Sequence, residues 1–489
     1  MLRPAVIDDA GARDGAVSLL LPELRRYLAR DVDGEAIDRE GAIPEATRDG
    51  LARLGLFGLT IPESHGGAGL SLGAACEVVA TLAEADRSIA IMVGLHAGLG
   101  TRGLVQHGTA ELRDRWLPRL ASGECVASFG ATEASAGSDL TMLSTRVKPV
   151  AGGLRIDGEK SYVTNGGFAG LFTILASSPG LGGARAASLV CVPRDAEGVK
   201  IGREEDKLGI RGSSTVTVTF DGVVVPWSHL LGEPGKGIVL THGLLAWGRT
   251  IMSAGCVGAA RSALAMAMAH THTRRQSRRP LSAFGATRAH LAWMSMRTRA
   301  MEAIVRDVSA AAEAGGPIAI PSAIAKVYCS DTAFAIADRA LQLHGALGFL
   351  EPTGVARLLR DCRITRIFEG ANDVLLVRIG AALLADPSAL GRTGAEALDA
   401  LALRLGAAVD AARRRWGVGA VNHQLALQRI ARAHIALAVG AALLDGDDAG
   451  SSHAVSELVS EGNEALEALD RADTDDARAA AVLSVLAEA

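Results

Sequence analysis

The spacing of apolar residues changes twice along this 489-residue chain, and these two changes constrain its fold most strongly. In the first part, apolar residues recur three to four positions apart, as at Leu24 and Leu28, which predicts helices with one apolar face. Between 146 and 226 apolar and polar residues alternate, most clearly in TVTVTF at 215–220, which predicts strands. Helical spacing then returns and continues to the end. The chain is therefore expected to be an α+β protein.

The same pattern divides the chain into four expected parts. Hairpin turns are expected inside the second part, at Gly152-Gly153 and at Asp157-Gly158. The parts are an N-terminal helical domain (1–125), a β-barrel-like domain (126–232), a four-helix domain (233–386) and an extra C-terminal helical domain (387–489).

The extra helical domain is expected to fold against the rest of the protein. Its apolar residues, such as Leu398, Leu401 and Leu405, recur at helical spacing and need a partner surface. Three arginines at 413–415 stand beside Trp416, a combination typical of helices that lie at a membrane surface. Membrane association is therefore the alternative, and packing is favoured over it.

Composition narrows the classes of partner and metal. Aromatic residues make up 3% of the chain, so the core has to consist mostly of Ala, Leu and Val. A net charge of −4 gives no reason to expect a nucleic-acid partner. The six cysteines form no CxxC pair, which disfavours a metal site and suits a reducing compartment. No signal peptide is recognisable, and the apolar run at 434–444 is too short to span a bilayer. The expected location is the cytoplasm.

Two short motifs are weak evidence for any function. Residues 98–103 (GLGTRG) match the dinucleotide-binding pattern GxGxxG, but the flanks are helical and no βαβ unit surrounds them. Residues 133–137 (EASAG) lack the first glycine of a nucleophile elbow, which disfavours an α/β-hydrolase. Neither motif predicts a function.

Four longer segments, in order along the chain, resemble the acyl-CoA dehydrogenase family. They are 129–139 (FGATEASAGSD), 157–166 (DGEKSYVTNG), 207–215 (KLGIRGSST) and 360–370 (RDCRITRIFEG). The similarity extends over most of residues 45–385, and the last segment together with the helical tail resembles the very-long-chain branch of the family.

The resemblance implies a fold, a cofactor and a reaction. The family has a helical domain, a β domain and a four-helix domain, which agrees with the pattern of the chain. FAD would lie between the β domain and the second helical domain. The expected reaction is the α,β-dehydrogenation of an acyl-CoA to the trans-2-enoyl thioester, with an electron-transferring flavoprotein as electron acceptor. A homodimer or homotetramer is expected.

The resemblance also assigns residues to the flavin. Backbone groups near Ala131 and the hydroxyl of Thr132 would pair with the polar edge of the ring, and Tyr162 stands where an aromatic residue covers it. Thr164 would donate a hydrogen bond near the reactive nitrogen. The implied cofactor-binding residues are Phe129, Ala131, Thr132, Ser138, Tyr162, Thr164, Arg274, Gln342 and Gly345.

Glu369 is the expected catalytic base. It follows the apolar pair Ile367-Phe368 and precedes Gly370, so its carboxyl is expected to be buried, and burial raises the pKa of a carboxyl group. A raised pKa suits the removal of a weakly acidic C–H proton. By resemblance, Ser138 and Arg249 would contact the acyl-CoA together with Glu369.

The chain departs from the family where the adenylate half of FAD would bind. In the family the segment after Arg274 usually reads R-x-x-F-G, whereas Ser277 and Arg278 stand here in place of the Phe and Gly. Ala346 and Ala371 replace a usual Gly and Thr. We expect the charge of Arg278 or its neighbour to compensate in part, so that FAD binds less tightly and more salt-sensitively than is usual.

Three alternatives remain at the level of sequence. The enzyme could act on an acyl group carried by an acyl-carrier protein in a biosynthetic pathway. It could be a flavin oxidase or monooxygenase that reacts with O₂. A non-catalytic binding protein on the same scaffold is the third, and Glu369 and the acidic net charge disfavour it.

Overall fold

The computed structural model describes residues 9–445, 449–469 and 471–488. Its N-terminal part is helical. Four of its helices begin directly after a side chain that caps them: Asp33, Ser71, Asp86 and Thr109 accept hydrogen bonds from backbone N–H groups of the first turn. Its helices are α1 (Asp9–Asp31), α2 (Gly34–Glu40), α3 (Glu45–Arg53), α4 (Leu72–Ala85), α5 (Arg87–Leu95), α6 (Thr101–His107) and α7 (Ala110–Ala121).

The GxGxxG pattern at 98–103 lies inside this helical region. Its first half belongs to a five-residue π-helical segment, His96–Gly100, which joins α5 to α6. A side chain at Gly100 would begin 2.9 Å from the Cβ atom of Ala127. The glycine therefore permits close packing of helix on sheet, and no βαβ unit surrounds it in the part of the chain that the structure describes.

The middle part is one eight-stranded sheet in the order β6-β7-β3-β2-β4-β5-β8, with β1 parallel to β4. The two end strands, β6 and β8, are not paired with each other among the described residues. Successive residues of β4 enter different apolar clusters, one shared with α7 and one within the sheet, so both faces are buried. The strands are β1 (Ala127–Gly130), β2 (Arg146–Val150), β3 (Gly153–Thr164), β4 (Leu171–Ser177), β5 (Ala187–Pro193), β6 (Val199–Glu204), β7 (Thr215–Val225) and β8 (Leu230–Leu231).

One of the two expected hairpin turns is wrong. Gly152 has a φ of +87° and turns the chain between β2 and β3, as expected. Asp157 and Gly158 instead lie inside β3, where the pairing with β7 shifts register between Ile156 and Gly158. Any side chain at Gly158 would collide with the Thr145 backbone at 2.5 Å. A glycine in a strand marked a bulge and a close approach here, not a turn.

The helical C-terminal part is built around α8. This helix packs against α4, α9 and α10. At Gly258 a side chain would begin 2.0 Å from the carbonyl oxygen of Ala80 in α4, so the two helices approach at a residue without one. The helices are α8 (Gly237–Thr273), α9 (Gly285–Glu313), α10 (Ala319–His344), α11 (Val355–Arg363) and α12 (Asn372–Ala385), and two short strands, β9 (Arg275–Gln276) and β10 (Arg279–Pro280), follow α8.

Two apolar helical stretches, Arg87–His107 and Gly237–Thr273, have the length and composition that could cross a membrane. Both are longer than the run at 434–444. Of their most apolar segments, 78% and 67% of the residues are buried inside the protein, as in core helices.

The C-terminal tail packs on this helical part, as expected. Leu398, Leu401 and Leu405 of the first tail helix are at most 1% exposed. Arg297 of α9 is buried and forms ion pairs with Glu457 and Glu461 of the tail. The tail helices are α13 (Glu396–Trp416), α14 (Gln424–Ala442), α15 (Ala449–Leu469) and α16 (Ala472–Glu488).

The arginine cluster of the tail is engaged in part. Arg415 forms an ion pair with Asp473 at 2.5 Å, and the ring of Trp416 stacks on His423 with the ring centroids 4.6 Å apart. Arg413 and Arg414 are exposed. These contacts favour packing over a membrane role for Trp416.

Gly380→Ala should loosen the tail. The new methyl group would lie 2.2 Å from the carbonyl oxygen of Leu427, so α12 and α14 would have to move apart. We expect a loss of roughly 1–3 kcal/mol of stability and faster hydrogen–deuterium exchange in α13 and α14. Gly406→Ala is the control, since its nearest neighbour is 3.9 Å away. Equal exchange in the two variants would contradict this account of the α12–α14 contact.

Candidate active site

A cavity of about 390 Å³ lies between the sheet, α5, α8 and the segment that precedes α12. It brings together residues that are more than 200 positions apart in sequence, from the end of β1 to the start of α12. Of the residues expected from sequence to form the site, those that line the cavity are Phe129, Ala131, Thr132, Ser138, Tyr162, Thr164, Arg249 and Glu369.

Glu369 projects into this cavity from a tight turn. Its backbone has a φ of +55°, which is costly for a residue with a side chain, and Gly370 follows at +100°. The Oε2 atom is buried and has no hydrogen-bond partner among the described residues. A side chain at Gly248 would begin 2.9 Å from this oxygen. The carboxyl group is thus free to act on a molecule in the cavity.

Arg249 supports the same turn from α8. It is 3% exposed, and its Nε donates a hydrogen bond to the backbone carbonyl oxygen of Glu369 at 2.8 Å. Its Nη1 is buried without a partner. Burial lowers the pKa of Arg249 to about 10, partly offset by Glu369. The residue remains a cation at neutral pH and faces the cavity with one donor unused.

Sequence reasoning missed Lys326, which binds the turn formed by Glu369 and Gly370 on the side away from the cavity. Its fully buried ammonium group donates to the carbonyl oxygen of Gly370 at 2.8 Å and to the Oδ1 atom of Asn372 at 2.6 Å. Asn372 in turn donates to Ser330 and to Asp331, both at 2.9 Å. The signal was faint: a single lysine in the apolar first half of α10.

Burial dominates the proton affinity of the Glu369 carboxyl. Loss of solvent raises its pKa to about 7, and the positive charges of Arg249 and Lys326 oppose that rise. The carboxyl group is therefore poised to bind and release a proton near neutral pH. The same burial lowers the pKa of Lys326 to about 8.

The sheet wall of the cavity rests on a second buried cation. Lys160 of β3 is fully buried and forms an ion pair with Glu133 at 2.6 Å. It also donates to the carbonyl oxygen of Ala131 at 3.2 Å. Burial raises the pKa of Glu133, but Lys160 and Ser144 outweigh it and hold the value at about 2. Both groups are charged at neutral pH, and they fix the loop that carries Thr132.

Thr132, Tyr162 and Thr164 lie along this wall. The carbonyl oxygen of Thr132 accepts from the N–H of Ser161 at 2.9 Å, and that of Thr164 accepts from Ser128 at 2.5 Å. Tyr162 is 66% exposed and has a φ of +56°, so its ring stands at the rim of the cavity. The backbone carbonyls of the two threonines are thus tied to the protein, and all three residues line the cavity.

Three of the expected cofactor-binding residues lie elsewhere. Arg274, Gln342 and Gly345 are exposed and do not line the cavity. They stand at the ends of α8 and α10, which lie side by side, as the stacked rings of His270 and His344 show with centroids 4.3 Å apart. Within one chain, the structure does not bring them to the other candidate residues.

The altered loop after Arg274 is a small hairpin. Ser277 and Arg278 join β9 to β10 and have φ values of +47° and +66°. The second value falls at the position where the family has glycine, so an arginine occupies a backbone conformation that glycine prefers. Arg279 lies over the ring of Phe284 at 4.0 Å.

Comparison with known proteins follows the same division of the chain. Three family models match the chain. They are "Acyl-CoA dehydrogenase, N-terminal domain" over residues 18–124, "Acyl-CoA dehydrogenase, middle domain" over 128–223 and "Acyl-CoA dehydrogenase, C-terminal domain" over 235–384. The chain is 33% identical over 428 residues to the mouse mitochondrial very long-chain specific acyl-CoA dehydrogenase, 85% of this chain and 65% of that protein. It therefore spans about two thirds of that relative's length.

Two further matches cover most of the length of the similar protein. The probable acyl-CoA dehydrogenase fadE25 of Mycobacterium leprae is 35% identical over 349 residues, 71% of this chain and 90% of that protein. The structure of an acyl-CoA dehydrogenase complexed with FAD from Bacillus anthracis is 24% identical, with a TM-score of 0.84, and covers 96% of this chain and 88% of that one. That match extends the shared fold into the C-terminal tail. The chain belongs to the acyl-CoA dehydrogenase family.

Proposed function

We propose that this protein is an FAD-dependent acyl-CoA dehydrogenase that converts an acyl thioester to its trans-2-enoyl thioester. The observation that carries this proposal is the Glu369 carboxyl. It has a buried oxygen without a partner, a pKa of about 7, and a cavity in front of it. A carboxylate in this state is suited to remove a proton from carbon.

The residues of the cavity fit a flavin. One wall offers an aromatic ring, Tyr162, and the hydroxyl groups of Thr132 and Thr164, which would hold the polar and flat parts of an isoalloxazine ring. The opposite wall carries Glu369 and the unused Nη1 donor of Arg249. When bound there, FAD would supply the oxidant that accepts a hydride from the β-carbon of the substrate.

The chain's own residues account for the proton. Glu369 Oε2 would take the proton from the α-carbon of the thioester as the C–H bond breaks. The loss of the α-proton and the β-hydride leaves a carbon–carbon double bond, so atoms and electrons balance. Arg249 holds the backbone carbonyl of Glu369, and Lys326 holds that of Gly370, so the carboxyl keeps its position during the transfer.

We also propose a homodimer or homotetramer, with an electron-transferring flavoprotein as electron acceptor. Arg274, Gln342 and Gly345 are exposed in the single chain and lie beside exposed apolar residues, among them Phe349 at 80%. If a second subunit covered this surface, these residues could bind a ligand at the interface between the subunits. The acceptor follows from the resemblance to the family.

Glu369→Gln should abolish turnover and retain flavin. The amide keeps the shape of the side chain but cannot accept the α-proton, so flavin reduction by substrate should slow at least roughly 10²-fold. Bleaching of the flavin absorbance in a stopped-flow instrument measures it. Glu63→Gln, at an exposed position, is the control and should react like the unmodified protein. Wild-type bleaching in Glu369→Gln would exclude this residue as the base.

The rate should rise with pH through about 7. The base is active only when ionised, so activity is lost as the pH falls below the pKa of Glu369. Lys326→Met removes a positive charge that lowers this pKa, and the residue lies outside the cavity. We therefore expect the inflection of kcat/KM to move to higher pH. An unchanged inflection in Lys326→Met would contradict the electrostatic role of this lysine.

FAD affinity should depend on salt and on Arg278. If its charge compensates for the altered loop, the dissociation constant of FAD should rise with salt, and Arg278→Gly should weaken binding at low salt although it removes an unfavourable φ of +66°. Titration of the apoprotein at two salt concentrations measures this. Arg185→Gly is the control at an exposed loop position. Tight binding at every salt concentration, unaltered in Arg278→Gly, would refute the compensation.

A further inference from the structure

We infer that the acyl substrate carries a carboxylate at its far end, bound by Arg87 at the inner end of the cavity. This inference rests on the proposed dehydrogenation and names the class of substrate: an ω-carboxyacyl thioester.

One face of α5 forms the inner wall of the cavity. The cavity-lining residues of this helix recur at the spacing of a single helical face, and all but the first are apolar or glycine. Gly94 leaves room there, since a side chain at this position would begin 3.2 Å from Ile251. The lining residues of the face are Arg87, Ala90, Ile91, Gly94 and Leu95.

Helix α8 forms the opposite wall of the cavity, and its contacts with Glu369 and Arg87 show how far apart these two residues lie. Gly248 lies against the Glu369 carboxyl, and the carbonyl oxygen of Gly255 accepts a hydrogen bond from Arg87. The two glycines stand seven positions apart in α8, which corresponds to a rise of about 10 Å. Met252 between them lines the same cavity. An acyl chain that starts at Glu369 would therefore run along an apolar passage toward a guanidinium group.

Arg87 is a buried guanidinium whose donors are only partly used. It is 3% exposed, its Nε has no partner, and no carboxylate forms an ion pair with it in the described part of the chain. It is the first residue of α5, where the helix dipole disfavours a positive charge. A buried cation is ordinarily paired with an anion. The protein therefore carries a site for a negative group at this end of the cavity.

The acidic residues nearby are engaged with other groups. Asp86 accepts from the N–H of Ile89 at 3.0 Å and pairs with Arg357 at 3.4 Å. Asp361 accepts a hydrogen bond from the N–H of Ile210. Burial raises the pKa of Asp361 to about 7, so it is only partly ionised at neutral pH. Asp361 acts on Arg87 through space, but neither acid forms an ion pair with it among the described residues.

A terminal carboxylate matches this arrangement. A guanidinium group binds a carboxylate through parallel N–H donors, and the pair is strong when water is excluded. The methylene groups of the chain would contact the apolar walls formed by Ile91, Ile251 and Met252. A chain that ends in a methyl group would instead leave Arg87 buried and unpaired against hydrocarbon. The site therefore selects substrates by the chemical group at the far end of the acyl chain.

The test compares thioesters in pairs on the flavin-loaded enzyme. Octanoyl-, decanoyl- and dodecanoyl-CoA are each measured beside the derivative with an ω-carboxylate, and beside the ω-hydroxy derivative. At the best length, we expect kcat/KM to favour the ω-carboxylate by roughly 10²-fold or more, because a buried polar group left without its partner rejects the incomplete analogue. Equal or greater preference for the methyl-terminated or ω-hydroxy thioesters at every length would overturn the inference.

Arg87→Leu identifies the residue responsible. It should lower kcat/KM for the ω-carboxy thioester and raise it for the methyl-terminated one, whereas Arg102→Leu should keep the preference. Arg102 is a suitable control because it lies over the ring of Trp247 at 3.7 Å and does not line the cavity. A preference that survives in Arg87→Leu would overturn the assignment.

The panel separates the inference from the proposed function. If no thioester of any kind bleaches the flavin, the dehydrogenation is wrong and the inference falls with it. If methyl-terminated thioesters are oxidised and the ω-carboxylate brings no advantage, the inference alone is wrong. Should Arg87→Leu fail to fold, the preference of the unmodified enzyme still decides between carboxylate and methyl ends.

Discussion

The geometry of the site depends on the contact between the buried ammonium of Lys326 and the turn that carries Glu369. A φ of +55° at Glu369 costs of order 1–3 kcal/mol and persists only where neighbouring contacts enforce it. Lys326 supplies those contacts through Gly370 and Asn372, and Arg249 adds one through the backbone of Glu369. The strained turn directs the carboxyl group into the cavity.

The sheet side of the cavity is organised in the same way. Lys160 and Glu133 form a buried ion pair behind the loop that carries Thr132. Such pairs contribute little net stability, since the loss of hydration offsets the attraction, but breaking one is costly. Lys160 also binds the Ala131 carbonyl, so the pair fixes the position of the loop. Buried lysines thus hold both walls, and neither of them touches the cavity.

Close packing of helices sets the width of the space between these walls. Glycines of α8 stand at its contacts with α4 and with Glu369, at Gly258 and Gly248. Core atoms are packed too densely for a side chain to be added there without displacement. The same helix reaches from the catalytic carboxyl to Arg87, so one rigid element fixes both ends of the proposed substrate site.

The sequence by itself determined the order of helices and sheet, the family, the burial of Glu369 and the fact that the tail packs. These follow from local spacing and from contiguous segments, which a chain displays directly. It did not reveal Lys326 or Arg87, and it misassigned Asp157-Gly158 as a turn. A lone lysine or arginine has no local pattern, and its partners come from distant segments. Only the tertiary structure showed that Lys326 binds the turn of Glu369 and that Arg87 has no carboxylate partner among the described residues.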